Sequence, residues 1–465
     1  MRIFLITISI ILFCTQLKAE EPQDSITLEK VVNSAVKNYP KVLALYQEVE
    51  AAKGSILANQ GFFDIRLRQS VTDKSRGFYD GKQTDTEIVK QNQFLGSEIY
   101  GGYRKSFGSF ENHETGIQTN RDGEFRAGAR FSLLRNSMFD ENRLSLALSR
   151  LDLESSKQAV FNIKNEIRRD ATKAYYDWLI LGKIHEIYQE LYDLAFDRNE
   201  QLKIRVRKGD LARIILVENE RNLLSRKTLA IKALQDFENS ALYLSLFYRD
   251  DNGQPIIAKT SQMPKITLDT SLKEIAIQNL DQDTLKALQN RADINIIKIS
   301  KQKELSNLRQ AKNLYKPRLD LDFAVSNDVS NENQFRGQSK NEINLQFEIP
   351  LQQRKARGET IKAEAKIEKI QHEERLLQDS IKVTLNQLKN NINSISQMHE
   401  NLTKETKLSE HLERAERKRF SKGGGDFFLI NMREQDTATA KIKNNLIFAK
   451  YYKALADYKA EAFIE

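Results

Sequence analysis

Two long stretches of the chain, 41–254 and 351–465, contain no proline. Because proline breaks α-helices, helices in these stretches can continue without interruption. Apolar residues recur every three or four positions within 140–206 and again within 352–420, which indicates amphipathic helices. At a rise of about 1.5 Å per residue, each helix would be roughly 100 Å long, a length that fits a coiled-coil cylinder and exceeds a single globular domain.

A glycine-containing break follows each long helix, and helical periodicity then resumes. The first break, predicted as a tip turn over 207–211, contains Gly209, and the second, over 421–426, contains Gly423, Gly424 and Gly425. Glycine at a helix end followed by a new helix is typical of a tight helix-turn-helix.

Four other segments alternate apolar and polar residues, which predicts β-strands at about 62–72, 124–133, 318–326 and 342–350. An apolar face opposite a strongly polar face fits a transmembrane β-barrel with lipid outside and water inside, although an amphipathic sheet over a soluble core has the same alternation. The charged side chains expected to line the lumen are Arg66, Arg68, Arg126, Arg130, Asp320, Asp322 and Glu348. Opposite charges from the two halves roughly balance, which favours a permissive pore over a selective one.

The chain is predicted to contain an internal two-fold repeat. Phe131 and Phe347 lie 216 residues apart, and Gly209 and Gly423 lie 214 apart. The first repeat covers 24–249, a linker region covers 250–284 and the second repeat covers 285–465.

The first repeat has about 38 more residues between its two strands than the second repeat has. This insertion lies within 73–122, and a segment such as 97–107 could form another hairpin there. We expect such a hairpin outside the cell or at the barrel mouth.

The N-terminus is predicted to be a signal peptide over 1–19, with Arg2 before an apolar core and a cleavage site after Ala19. A lipoprotein signal at Cys14 is the alternative, which the bulky Phe13 disfavours. Cys14 is the one cysteine, so the mature chain would have no disulfide and no thiolate metal site.

The composition limits the class of protein further. A mean hydropathy of -0.57 and 29% charged residues exclude a bundle of membrane helices. The formal charge of +9 is compatible with nucleic-acid binding, but export and the spread of cations beside acidic residues argue against it. The five histidines lack a zinc-protease pattern and no phosphate loop occurs, so we predict no enzyme activity, metal or cofactor.

Several ordered motifs are similar to those of one protein family. They are 25–32 with Asn38-Tyr39-Pro40, then 129–136 entering the long helix, then 347–351, and finally the tip turn 419–423 followed by 427–432. Together they resemble the TolC-like outer-membrane efflux proteins, the outer membrane factors of tripartite efflux and type I secretion systems, over nearly all of 24–463.

That resemblance implies a mixed α and β membrane protein that forms a homotrimer in the outer membrane. Three chains would share one β-barrel, with four strands per chain, which continues into an α-helical coiled-coil tunnel in the periplasm. A periplasmic adaptor (membrane fusion) protein would dock the tunnel to an inner-membrane transporter, and the transporter would choose the cargo.

Basic residues are concentrated at both predicted tips. The tip residues are Arg205, Arg207, Lys208, Gly209, Arg213, Arg419, Lys422, Gly423, Gly424 and Gly425. These cations either complement the helix dipoles or form a basic collar that recognises the adaptor.

Two other classes of protein are weighed against an export channel. A periplasmic scaffold or adaptor would share the helical hairpins but lack lipid-facing strands. A single-chain barrel enzyme or porin would need at least eight strands, more than the alternating segments supply.

Overall fold

The computed structural model describes residues 25–75, 80–108, 119, 122–264, 272, 279–329, 339–422 and 424–464. The predicted signal peptide and Gly423 of the second tip turn therefore lie outside the described residues.

The longest helices are α3 (Glu141–Arg207) and α7 (Arg354–Ser421), of 67 and 68 residues. The sequence predicted helices over 140–206 and 352–420. Each long helix is followed by a turn and a shorter helix, α4 (Arg213–Leu244) after α3 and α8 (Phe427–Ala462) after α7.

The remaining α-helices of the described residues are α1 (Leu28–Asn38), α2 (Pro40–Gln60), α5 (Leu280–Asn290) and α6 (Ala292–Asn313). The Thr27 hydroxyl accepts a hydrogen bond from the Lys30 amide at 3.3 Å and caps the start of α1. Tyr39 adopts extended backbone angles before Pro40, which explains why α1 ends there.

Within the described residues, six strands form one antiparallel sheet in the order of the chain, so that each strand is hydrogen-bonded to the next. The strands are β1 (Ile65–Lys74), β2 (Gly81–Gln91), β3 (Glu98–Gly108), β4 (Glu124–Ser132), β5 (Arg318–Asp328) and β6 (Ser339–Glu348).

The sequence predicted four strands per chain, whereas the described sheet has six, because the insertion supplies β2 and β3. The insertion forms a hairpin, as expected, but 97–107 supplies only one of its strands, β3, which lies between β2 and β4. The apolar alternation of β2 is weak because two positions of its apolar face are threonines, Thr84 and Thr86. Threonine is β-branched and therefore still suits a pleated sheet.

The chain divides into two compact units. Unit 1 comprises 1–39, 167–278 and 388–459, and its core includes the fully buried Trp178, which stacks at 6.3 Å from the ring of Phe237. Unit 2 comprises 40–166, 279–387 and 460–465 and contains the whole sheet. The helices α3 and α7 contribute residues to both units.

The predicted linker region, 250–284, is partly described. A bridge joins Arg249 to Pro255, and α5 begins at Leu280. Residues 265–271 and 273–278 lie outside the described part of the chain. Among the described helices, none is long and apolar enough to cross a membrane.

Candidate functional site: a two-faced sheet and two basic helix tips

The strand register separates the sheet into two chemically different faces. Directly paired residues of antiparallel strands point to the same side, so the register assigns every side chain to one face. The apolar face carries Ile65, Leu67, Val71, Ile88, Ile99, Tyr103, Phe107, Phe125, Phe131, Leu319, Leu321, Phe323, Val325, Ile343, Leu345 and Phe347. The polar face carries Arg66, Arg68, Asp85, Glu87, Glu98, Tyr100, Arg104, Glu124, Arg126, Arg130, Asp320, Asp322, Glu342 and Glu348.

Burial on the two faces is the reverse of that in a water-soluble sheet. On the apolar face Leu67 is 73% exposed and Ile343 is 71% exposed. On the polar face Asp85, Glu124 and Asp320 are all less than 9% exposed. An apolar surface of this extent indicates contact with lipid or with another apolar surface.

The seven predicted lumen residues all lie on the polar face, and the structure brings each of them into an ion pair with another of the set or with a neighbouring residue. Charges from the two halves meet between Arg130 and Asp322, whose nearest N–O distance is 2.8 Å. The carboxylate of Asp320 accepts a hydrogen bond from the Ser132 hydroxyl at 3.0 Å and pairs with Arg318 at 2.6 Å. Glu348 lies 4.0 Å from Arg318.

The other three arginines have partners on the β2–β3 hairpin, which sequence reasoning missed. Arg126 pairs with Asp85 at 2.6 Å and also with Glu87. Arg68 lies 3.8 Å from Glu87, and Arg66 lies 3.9 Å from Glu98.

Two glycines make these cross-strand contacts possible. Gly102 lies between Glu87 and Arg126 in the register, and a Cβ atom there would come within 2.3 Å of the Thr86 carbonyl oxygen. A Cβ atom at Gly128 would lie 2.4 Å from the ring of Tyr100. The Tyr100 hydroxyl donates a hydrogen bond past Gly128 to Asp322 at 3.0 Å.

The first tip turn is a tight helix-ending turn. Gly209 has a φ of +80°, in the left-handed region that favours glycine, and its amide donates to the Val206 carbonyl oxygen at 3.1 Å. Arg205, Arg207, Lys208 and Arg213 are all exposed around it.

The second tip turn shows a similar concentration of positive charge. The Gly424 amide donates to the Arg419 carbonyl oxygen at 3.2 Å, and Arg419 and Lys422 are exposed. A Cβ atom at Gly425 would approach the Phe420 backbone to 2.6 Å, so only glycine fits there without a shift.

A buried ionic cluster near the tips, in unit 1, was not predicted from the sequence. Glu434 on α8 is 1% exposed and pairs with Arg198 on α3 and with Arg226 on α4, the latter at 2.9 Å. Arg417 on α7 lies 3.5 Å from the same carboxylate. The cluster therefore joins α3, α4, α7 and α8, the four helices that flank the two tip turns.

Asn431 completes the hydrogen bonding of this cluster. Its side-chain oxygen accepts from Arg198 at 2.7 Å and from Arg226 at 3.4 Å. Burial lowers the pKa of the Arg226 guanidinium, and the adjacent Glu434 carboxylate opposes that effect. The described residues contain no group of three or more His, Cys, Asp or Glu side chains arranged to hold a metal ion.

Comparison with solved structures identifies the fold. The chain is similar to the Campylobacter jejuni CmeC outer membrane channel, with a TM-score of 0.66 and 15% sequence identity over 99% of this chain and 93% of that one. It is also similar to the open state of the Neisseria gonorrhoeae MtrE outer membrane channel, with a TM-score of 0.63 and 12% identity over 97% and 96% of the two chains. The outer membrane protein VceC from Vibrio cholerae gives a TM-score of 0.64 at 12% identity over 94% and 95%.

The chain thus has the fold of TolC-like outer-membrane channels, and the resemblance seen in the sequence is confirmed at the level of the fold. By sequence, no protein-family model and no curated protein matches the chain.

Proposed function

We propose that this chain is the outer-membrane subunit of an export channel. Three copies would join their sheets into one β-barrel, with the apolar faces toward lipid and the polar faces around a water-filled lumen. The helices would continue the passage as a tunnel in the periplasm. The chain would act as a passive conduit and carry out no reaction.

The observation that carries this proposal is the reversed burial of the sheet. The exposed apolar face would cost free energy in water, at about 25 cal/mol for each Å² left uncovered. Membrane lipid removes that cost, and the ion-paired polar face then meets water in the lumen. A periplasmic scaffold would gain nothing from such a sheet.

The proposal is tested on the full chain extracted from outer membranes with detergent. Electron microscopy should show three-fold particles with a membrane-sized belt and a helical tail of roughly 100 Å. Planar bilayers containing the protein should conduct ions. A compact particle that lacks a detergent belt and conducts no ions would contradict the proposal.

The tips suit a partner with an acidic docking surface. Within the proposed system that partner is a periplasmic adaptor, which connects the channel to an inner-membrane transporter for efflux of small molecules or secretion of proteins. Arg205, Arg207 and Lys208 are exposed at one tip, and Arg419 and Lys422 at the other. Cations at the last turn also complement the helix dipole, so position alone does not distinguish the two roles.

Salt dependence distinguishes these two roles of the tip cations. Binding of the purified adaptor from the same organism should weaken steeply between about 0.1 and 1 M salt, because opposite charges are screened within a Debye length. Lys208→Gln should weaken binding, whereas Lys227→Gln, at an exposed position of α4, should not. Adaptor binding that is indifferent to salt and to Lys208→Gln would leave only the dipole role.

A further inference from the structure

We propose that the β2–β3 hairpin is part of the barrel wall, so that three chains close an eighteen-stranded barrel with a wider lumen than twelve strands would give. This inference rests on the proposed function and adds that the number of strands in the wall limits the width of the solutes that can pass. It begins from the hairpin's place between β1 and β4 in the described sheet.

The two hairpin strands have the dimensions of their neighbours. Each of β2 and β3 contains 11 residues, and the other four strands contain 9 to 11. A tilted strand needs about 9–11 residues to cross a bilayer. β2 pairs with β1 over the full length of β1, and Glu98–Arg104 of β3 pair with β4. The hairpin is thus a full-length part of the sheet.

Side chains of the hairpin contact side chains of β4 and β5 directly. Tyr100 on β3 extends over Gly128 on β4 and donates to Asp322 on β5 at 3.0 Å. Gly102 on β3 leaves space for Arg126 to reach Glu87 on β2. These contacts cross a strand in each direction and exist only when β3 lies beside β4.

Charge gives the strongest reason to keep the hairpin in the wall. Without it, β1 would lie beside β4, and Arg66 and Arg68 would face Arg126 and Arg130 on the polar side of the sheet. Like charges on neighbouring strands are destabilising. The hairpin places three carboxylates, Asp85, Glu87 and Glu98, between these two pairs of arginines.

One chain cannot close this sheet by itself. β1 and β6 are its two edges, and the smallest membrane barrels have eight strands. The partner that fits an edge is a second copy, because β6 of one chain runs antiparallel to β1 of the next and has the same alternation of apolar and polar residues. An unpaired edge of this length otherwise invites uncontrolled association.

The register also allows closure with an ordinary strand tilt. When directly paired residues are followed from strand to strand, the row that begins at Ile65 on β1 ends at Ile343 on β6. Ile343 lies five residues before Glu348. If Arg66 lies opposite the partner's Glu348, Val71 lies opposite the partner's Ile343 and both faces stay continuous. That junction gives a stagger of about six residues per chain and a tilt of roughly 35° in an eighteen-stranded barrel.

The extra strands change the width of the passage. Barrel diameter grows nearly linearly with strand number, so at this tilt the backbone cylinder widens from roughly 22 Å for twelve strands to roughly 34 Å for eighteen. Because inward side chains narrow both barrels by the same width, the outer-membrane opening should admit solutes at least about one and a half times wider than a twelve-stranded barrel admits.

Electron microscopy of the full-length trimer at a resolution that separates strands tests the inference directly. Eighteen strands in the wall, with β2 and β3 between β1 and β4, is the expected result. A trimer with twelve strands and the hairpin outside the wall would overturn this inference and leave the proposed function intact. Protein that forms no membrane-spanning trimer would overturn the proposed function itself.

Polymer exclusion supplies a second, functional measurement. Poly(ethylene glycol) of increasing size is added on the barrel side of a planar bilayer, and the largest size that still lowers the conductance is recorded. A variant that lacks 75–122 and carries Arg66→Glu and Arg68→Glu keeps opposite charges between β1 and β4. Its cutoff radius should be at most about two thirds of that of the full chain. Equal cutoffs would overturn the inference, and if the variant does not fold, the strand count of the full chain still decides it.

Discussion

At the scale of single residues, Glu434 has the most demanding environment among the described ionisable groups. It is 1% exposed, and its carboxylate compensates two guanidiniums that are themselves less than 9% exposed. A buried charge that loses its partner carries a desolvation penalty that nothing else offsets. Glu434 is therefore expected to matter to the folded state more than an exposed acidic residue does.

Glu434→Gln should lower the free energy of unfolding by about 3–5 kcal/mol, because Arg198 and Arg226 remain buried without their counter-ion. The measurement is the urea midpoint followed by circular dichroism at fixed detergent. Asp436→Asn on the same helix is the matched control, since Asp436 is half-exposed and its ion pair with Arg433 spans 3.9 Å, so its loss should cost under about 1 kcal/mol. Equal midpoints for the two variants would refute the role assigned to Glu434.

His399 should make the stability of unit 1 sensitive to acid. Burial lowers the pKa of its imidazole, and a hydrogen bond with Asn444 offsets part of that effect. The unfolded chain, with an ordinary pKa near 6.5, then binds the proton more readily than the folded chain does. The stability that neutral His399 contributes is therefore fully present above about pH 6.5 and is lost as the pH falls from there toward the lowered pKa of the folded chain.

The expected result for His399→Asn is a smaller difference between the Tm at pH 7.5 and the Tm at pH 5.5. His411→Asn, at an exposed position of the same helix, is the control and should keep the wild-type difference. A pH difference that is the same in both variants would assign the acid sensitivity to other groups.

At the scale of elements, β6 offers a direct test of which face of the sheet meets lipid. Ile343 and Asn344 are neighbours in the chain, but they point to opposite faces. Ile343→Lys should reduce recovery of the trimer in the outer-membrane fraction, since a lysine on the lipid face costs about 2–4 kcal/mol near the bilayer centre. Asn344→Lys should insert normally, because its side chain lies on the polar face, which would line the lumen of the proposed barrel.

The comparison uses heat-resistant trimer on gels and flotation of membranes. Both residues are exposed in the isolated chain, so a general effect on folding of the monomer should be similar for the two variants. The reverse order of effects would mean that the polar face meets the lipid.

Element prediction from the sequence was strongest where the periodicity is long. Apolar residues recur at helical spacing throughout 140–206 and 352–420. The helices in the structure have nearly the same bounds, Glu141–Arg207 and Arg354–Ser421. The β2 strand has a short pattern with Thr84, Thr86 and Ile88 on one face and Val89 on the other, so apolar alternation alone does not identify it. Its carboxylates indicate a strand only once their arginine partners are known.

At the scale of the whole molecule, the charges on the polar face should control which ions pass. Arg126→Glu combined with Arg130→Glu removes two guanidiniums from carboxylates that include Asp85 and Asp322. The lumen then carries excess negative charge, which attracts cations. The reversal potential in a salt gradient should shift toward the value for cations, and the cation-to-anion permeability ratio obtained from it should rise several-fold.

Lys105→Glu is the control for this measurement, because Lys105 lies on the opposite face of β3. It changes the net charge of the chain without changing the lumen, so the reversal potential should stay at the wild-type value. An unchanged reversal potential in the double variant would remove Arg126 and Arg130 from the passage.

The amino-acid sequence by itself determined the long helices, their glycine turns and the two chemical faces of four strands. Each of these features depends on residues that are close together in the chain, so the spacing of apolar, polar and glycine residues is enough to predict it. Only the tertiary structure decided that the hairpin joins the sheet, that Arg126 meets Asp85 and Glu87, and that Glu434 lies between Arg198 and Arg226. Contacts of this kind depend on strand register and helix packing between residues far apart in the chain, and periodicity along the chain carries no information about either.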